Sequence, residues 1–122
     1  MVEAITIDSL NQKYGRPDVV FVDIEGFEAN ALKGAAATLR TAADWFVEVH
    51  VGCGLEQYGG SAEQVLDRFD STKYDRFVWN LNTRQKPSLL EEASAVLMRR
   101  FALVALDGDT KTTCGKRIDV EN

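Results

Sequence analysis

The chain has no apolar run approaching the roughly 20 residues that cross a bilayer. Its start, Met1-Val2-Glu3, lacks the charged opening and apolar core of a secretory leader. Basic charge is also short: 14 Lys and Arg stand against 19 Asp and Glu, for a net charge of −5. Arg99-Arg100 and Lys116-Arg117 are isolated pairs, and no basic stripe exists that could hold a phosphate backbone, so a nucleic-acid partner is not expected. Cys53 and Cys114 lie far apart without CxxC spacing, which fits free thiols in a reducing compartment better than a disulfide framework. The expected address is therefore the cytoplasm. There is a single histidine, His50, and neither an internal repeat nor a low-complexity tract.

What is present is the composition of a globular protein, with 45% hydrophobic and 27% charged residues in a chain of 122. That length suits one domain with a real core. Residues 1–106 are expected to form a single α/β domain and 107–122 a polar C-terminal tail.

The densest segment is Asp18 to Ala35, DVVFVDIEGFEANALKGA. Val19 to Val22 is a continuous apolar run, which predicts a strand from Asp18 to Asp23 covered on both faces of a parallel sheet. Asp23 and Glu25 follow at once. Phe27, Ala31, Ala35 and Leu39 then recur every four residues, predicting a helix to about Arg40, with Gly34 packed closely on the sheet. Before this segment, Ala4 to Ile7 reads as a short strand, and Asp8 as the cap of a brief helix through Tyr14.

Further on, Trp45 to Val51 reads as a strand, and Gly52 to Gly60 as a flexible loop. Ser61 and Gln64 have capping-box spacing ahead of Ala62, Val65, Leu66 and Phe69 at helical positions. Tyr74 to Asn80 is a predicted strand, Leu81 to Pro87 a polar loop, Ser88 to Met98 a helix and Phe101 to Leu106 a last strand. Alternating strands and helices imply right-handed crossovers and a mainly parallel sheet with helices on its faces. The last two strands, if they pair with each other, would run antiparallel at its end.

The order of motifs resembles the FkbM family of S-adenosylmethionine-dependent methyltransferases. The residues that carry the likeness are Ile5-Thr6-Ile7-Asp8-Ser9-Leu10, Pro17 to Glu28, Leu32-Lys33-Gly34-Ala35 and Glu48-Val49-His50. It is strong from about Val2 to Val51. The resemblance implies a Rossmann-like sheet in which Asp18–Asp23 and Trp45–Val51 are the fourth and fifth strands. Tyr74–Asn80 and Phe101–Leu106 would be the terminal pair, the latter inserted antiparallel. It also implies that the first three strands, with their glycine-rich cofactor turn, are not in these residues. Gly52-x-Gly54 follows a strand but lacks the third glycine and helix start of such a turn. The chain thus looks like the C-terminal half of a methyltransferase domain.

In open α/β sheets ligands bind outside the carboxyl ends of the strands, which is where Asp23 and Glu25 fall. Methyl transfer from a sulfonium needs an in-line nucleophile, and a carboxylate or imidazole can take the proton of a substrate hydroxyl. Asp23, Glu25 and His50 are the candidates, and in the family reading Asp23 also faces S-adenosylmethionine. Each has a plainer role open to it: Asp23 orienting amides at a helix start, Glu25 stabilising the helix's positive end, His50 as a packed or surface residue. Glu48 should share His50's face; if that face is buried it needs a partner such as an arginine or backbone amides, and otherwise it belongs to the substrate site. Trp79 and Asn80 are candidates for lining a substrate pocket, or for a core aromatic and a turn residue. A divalent metal on Asp23, Glu25, Glu48 or His50 is conceivable, though the ligands are scattered.

Two functions compete. One is an enzyme that O-methylates a small-molecule hydroxyl, with its cofactor half outside this chain. The other is a shortened, non-catalytic relative that assembles with itself or another chain through the exposed edge of its Val19–Val22 strand. A small metal-dependent hydrolase on Asp23, Glu25 and His50 is a third reading with less support.

Overall fold

In a computed structural model, residues 2–83, 85–92, 97 and 99–108 are described. Residues 2–6 carry no strand, contrary to the expectation for Ala4 to Ile7. Thr6 instead caps the first helix, α1 (Ile7–Tyr14), its hydroxyl accepting from the Ser9 amide at 3.0 Å. Asp8 has a longer reach. Its carboxylate accepts from the amides of Ala37 and Thr38 and from the Thr38 hydroxyl, at 3.0, 2.8 and 2.6 Å, so it caps a 3-10 turn some thirty residues away. Burial alone would raise its pKa; the hydroxyl and the two amides outweigh that and hold it below the usual carboxylate range.

Strand β1 (Val19–Val22) leads through a glutamate–glycine turn into α2 (Glu28–Lys33). This helix is shorter than its periodicity suggests: it ends at Gly34, and the chain resumes as the 3-10 turn Thr38–Arg40. Gly34 packs on α1's cap and not on the sheet, since a Cβ there would lie 3.0 Å from the Thr6 side chain. Strand β2 (Asp44–Val49) follows, then a 3-10 turn at Glu56–Tyr58 and helix α3 (Ala62–Leu66), which Ser61 caps as its spacing predicts. Strand β3 (Tyr74–Asn80) matches its predicted bounds. The helix expected from Ser88 does not form at its start: Ser88–Leu89 is a short strand, β4, followed by a 3-10 turn at Leu90–Glu92. The rest of that expectation falls largely outside the described residues, as does the tail from residue 109. Strand β5 (Phe101–Asp107) is buried throughout and includes Asp107, which had been assigned to the tail. Asp107 donates its amide to the Asp44 carboxylate and pairs its own carboxylate with Lys73.

The sheet runs β1-β2-β5-β3-β4. It is mixed and not mainly parallel: β1 and β2 pair in parallel, while β5 pairs antiparallel with both β2 and β3, and β4 pairs antiparallel with β3. β3 and β5 do pair antiparallel. Yet β5 lies between β2 and β3, so the reversed strand is inside the sheet and not at its end.

One face carries the larger core. Val22, Trp45, Val47, Val49, Leu103 and Val78 pack there with Leu32 of α2 and Val65 and Leu66 of α3. Phe69 links this core to two aromatic neighbours edge-on, Trp45 at 5.7 Å and Tyr74 at 5.4 Å. The opposite face has a smaller cluster built from strand residues, Phe77, Val104 and Leu106 with Phe46. β1 is the edge strand and is not covered on both faces: Val22 is buried, while Val19 and Phe21 are 63% and 64% exposed. An edge strand has a neighbour on one side only, so an apolar run can satisfy a strand pattern without being enclosed.

Candidate functional site

The carboxyl ends of β1 and β2 lie side by side because the strands are parallel and in register, Val22 opposite Val47. The turns that follow interlock through glycine. Glu25 has φ 58° and Gly26 φ 108° after β1, and Gly54 has φ 130° after β2. A Cβ on Gly26 would fall 2.5 Å from the Gly54 carbonyl carbon, and one on Gly54 would fall 2.7 Å from the Glu25 carbonyl oxygen. Backbone meets backbone here, and only glycine leaves room. Glu25 itself adopts a left-handed conformation uncommon for a residue with a side chain, which is a local cost to the fold.

The closed pair of turns brings Asp23, Glu25 and His50 together. His50 is 2% exposed. Its Nδ1 lies 2.7 Å from Oε1 of Glu28, a carboxylate with no exposed surface at all. The same Oε1 accepts the Gly26 amide at 2.8 Å, so one buried carboxylate holds both the imidazole and the turn. On its other side, His50 Nε2 stands 3.6 Å from Asp23 Oδ1 and 3.8 Å from Glu25 Oε2. Those carboxylates face outward, their side chains 38% and 86% exposed.

Glu48 joins through Asp23. Burial, then the hydrogen bond it shares with Asp23 and that neighbour's charge, push its carboxyl above the usual range, with His50 and Arg100 acting against them. Arg100 Nε at 3.6 Å is the arginine partner that a half-buried Glu48 calls for. Glu48 is opposite Ala102 on β5, and Ala102 is opposite Trp79 on β3, so Trp79 lies two strands across the sheet from it, 37% exposed. Asn80 is buried at the end of β3, where its Oδ1 accepts the Asn82 amide at 2.9 Å and shapes the turn.

Glu28 escapes a reading based on apolar spacing. The buried line on α2 runs through Glu28, Ala29 and Leu32, continuing to Ala35, while Phe27 is 47% exposed and packs edge-on against Tyr58. The available signal was a carboxylate four residues before Leu32 on the helix face that meets the sheet, where an acid needs a partner.

Chemically, the cluster offers a buried imidazole fixed by a carboxylate behind it and two accessible carboxylates in front. In the tautomer with Nδ1–H donating to Glu28, the Nε2 lone pair faces outward toward Asp23 and Glu25. Such a group can accept a proton or hold a polar ligand, and it sits at the strand ends where α/β proteins bind small molecules.

The fold and site therefore define an α/β protein with a carboxylate–imidazole cluster at the ends of its parallel strands. The family described as Methyltransferase FkbM domain matches residues 1–75, more than half of the chain and the part that contains the cluster. The chain belongs to that family. No curated protein and no solved structure gives a significant match.

Proposed function

We propose that this chain serves methyl transfer from S-adenosylmethionine to the hydroxyl of a small molecule, and that the Asp23–Glu25–His50 cluster receives the acceptor. The observation that carries the reading is the position of that cluster: it lies inside the family-matched residues, at the carboxyl ends of adjacent parallel strands. Asp23, Glu25 and His50 would orient the hydroxyl and take up its proton, with Glu28 fixing the imidazole. Glu48 lies within reach through Asp23; Trp79 and Asn80 would border the acceptor from farther along the sheet.

A strand order in which β5 is inserted antiparallel between β2 and β3 fits the second half of a Rossmann-like methyltransferase sheet. On that reading the strands that carry the cofactor turn join at the free edge of β1. They are supplied by sequence beyond these residues or by another chain. The widely spaced cysteines and the absence, among the described residues, of a helix long and apolar enough to cross a membrane are in keeping with a cytoplasmic setting.

The test is labelled methyl transfer by the longest reading frame that contains these residues, offered a pool of hydroxylated small molecules. The expected result is label in the acceptor fraction, falling at least about tenfold in Asp23→Asn, an amount in line with loss of a general base. Calorimetry on the 122-residue chain alone should show weak or no S-adenosylmethionine binding; micromolar affinity would overturn the half-site reading.

A second reading has its own observation. Among the described residues the outer edge of β1 is unpaired, and an apolar groove of about 490 Å³ runs beside it, lined by residues that include Ile7, Leu10, Tyr14, Val20 and Ile24. A non-catalytic module that assembles through this edge would show concentration-dependent mass in sedimentation and no methyl transfer from any reading frame.

A further inference from the structure

We propose that Asp23 Oδ1, Glu25 Oε2 and His50 Nε2 form a site for a divalent transition-metal ion, with Glu28 as the carboxylate that orients the imidazole from behind. The three ligand atoms lie within 4.8 Å of one another. The distances from Nε2 are 3.6 and 3.8 Å, too long for hydrogen bonds. They are close to the separation of ligands around one ion: bonds of about 2.1 Å in a tetrahedral arrangement put neighbouring donors roughly 3.4 Å apart. The two carboxylates are within 4.8 Å of each other, so binding asks these exposed side chains to close by up to about 1.4 Å.

The independent observation is the imidazole. His50 is 2% exposed, so its ring is held by packing and cannot turn away. Nδ1 is bonded to Glu28, whereas Nε2 makes no hydrogen bond among the described residues and points between two carboxylates. A histidine whose far nitrogen donates to a buried carboxylate, leaving its near nitrogen with a directed lone pair, is the arrangement that metal-binding histidines show almost without exception. Glu28 also holds the Gly26 amide, so the turn bearing Glu25 and the ring bearing Nε2 are fixed by one anchor.

Charge points the same way. Asp23, Glu25, Glu28 and Glu48 crowd one imidazole, and Arg100 lies 3.6 Å from Glu48. A cation between Asp23 and Glu25 would relieve that repulsion. One imidazole with two carboxylates suits Mn²⁺, Fe²⁺ or Zn²⁺ better than Mg²⁺, which prefers oxygen alone. Glu25 is 86% exposed at its side chain, so coordination positions remain open to water or to an oxygen of a bound molecule. An ion there would make His50 a ligand and not a proton acceptor. The site stands on this geometry and does not depend on methyl transfer.

Because His50 is the only histidine, the test is specific. The tag-free chain is titrated with Mn²⁺ and Zn²⁺ in the absence of S-adenosylmethionine. Calorimetry should give one site per chain with a Kd below about 100 µM. Pulsed electron paramagnetic resonance of the Mn²⁺ complex should show coupling to a single imidazole nitrogen. In ¹⁵N spectra Zn²⁺ should shift Nε2 while Nδ1 keeps its proton. Glu25→Gln, at an exposed position that the fold does not need, should weaken binding at least tenfold while leaving the metal-free melting temperature within a degree or two. His50→Gln should abolish the nitrogen coupling. Binding weaker than millimolar, a Mn²⁺ spectrum without nitrogen coupling, or unchanged affinity in Glu25→Gln would each overturn the site. So would an Nε2 that stays protonated in the presence of Zn²⁺, since His50 would then be an imidazolium paired with its carboxylates.

Discussion

The middle of the sheet and its β1 margin are built differently. β2 buries every second residue and β5 buries every residue, and Val47, Val49 and Leu103 have no exposed surface. At β1 the same kind of apolar sequence leaves Val19 and Phe21 nearly two-thirds exposed, beside an open groove. The chemistry sits on the seam between these regions: His50 and Glu28 belong to the buried side, Asp23 and Glu25 to the open one. Rigid support behind and accessible ligands in front follow from that placement. The contrast also shows that hydrophobicity along a strand does not report coverage; coverage depends on what the rest of the chain places against it.

The largest effect should come from the core. Phe69→Ala empties the space between Trp45 and Tyr74 and should cost about 3–5 kcal/mol in chemical denaturation. A loss below about 1 kcal/mol would mean that the covered side is looser than its burial implies.

Next is the seam. Gly26→Ala adds a Cβ 2.5 Å from the backbone of Gly54 at a φ of 108°, and neither backbone can yield without opening the site. The expected loss is about 2–4 kcal/mol from the clash and the φ strain together. It should be accompanied by altered chemical shifts at His50, the one histidine. A neutral substitution would show that the two turns do not interlock in solution.

Smaller effects follow from single polar contacts. Tyr74 donates its hydroxyl to the Leu39 carbonyl at 2.6 Å, and burial pushes its pKa up to about 12. Tyr74→Phe strands that carbonyl and should cost about 1–2 kcal/mol. Asp8 is tested by pH. Its folded pKa lies below its unfolded value of about 3.9, so its stabilisation is complete above that value and is lost as pH falls through the lower folded pKa. Asp8→Asn should therefore flatten the stability profile in that acid window, and at neutral pH should cost about 1 kcal/mol, as for a lost helix cap. An unchanged acid limb would show that the Asp8–Thr38 tie contributes nothing.

Local rules made β3 and the Ser61 cap legible, because the β-prone Tyr74, Phe77, Val78 and Trp79 and a capping hydroxyl act over a few residues. Proximity at the site was legible too: adjacent strand ends bring Asp23 and His50 together wherever β1 and β2 pair in parallel. The tertiary choices were not. Asp8 has the side chain of a local cap, but its partners at Ala37 and Thr38 are chosen by how α1 docks. Gly34 reads as a sheet-packing glycine until Thr6 is found against it. Ser88 begins a helix by its capping spacing, yet β3 offers a free edge, and sheet pairing takes Ser88 and Leu89 first. Glu28 was hidden because a buried acid looks like a surface residue until its partners are known.

The smallest effect is also the sharpest probe of the open margin. Valine and threonine have nearly the same shape, so exchanging them tests burial and little else. Val47→Thr places a hydroxyl in a fully buried position and should cost about 1–3 kcal/mol. Val19→Thr, at 63% exposure, should stay within about 0.5 kcal/mol. The comparison breaks if Val19→Thr costs as much as Val47→Thr, since something must then cover β1 in solution. Repeating the denaturation at protein concentrations a hundredfold apart identifies the cover. If the cost of Val19→Thr grows with concentration, the edge is closed by a second copy of the chain. If it is large at every concentration, the cover comes from the chain itself. If it stays near zero throughout, the margin is open and available to a further strand, as the proposed function requires.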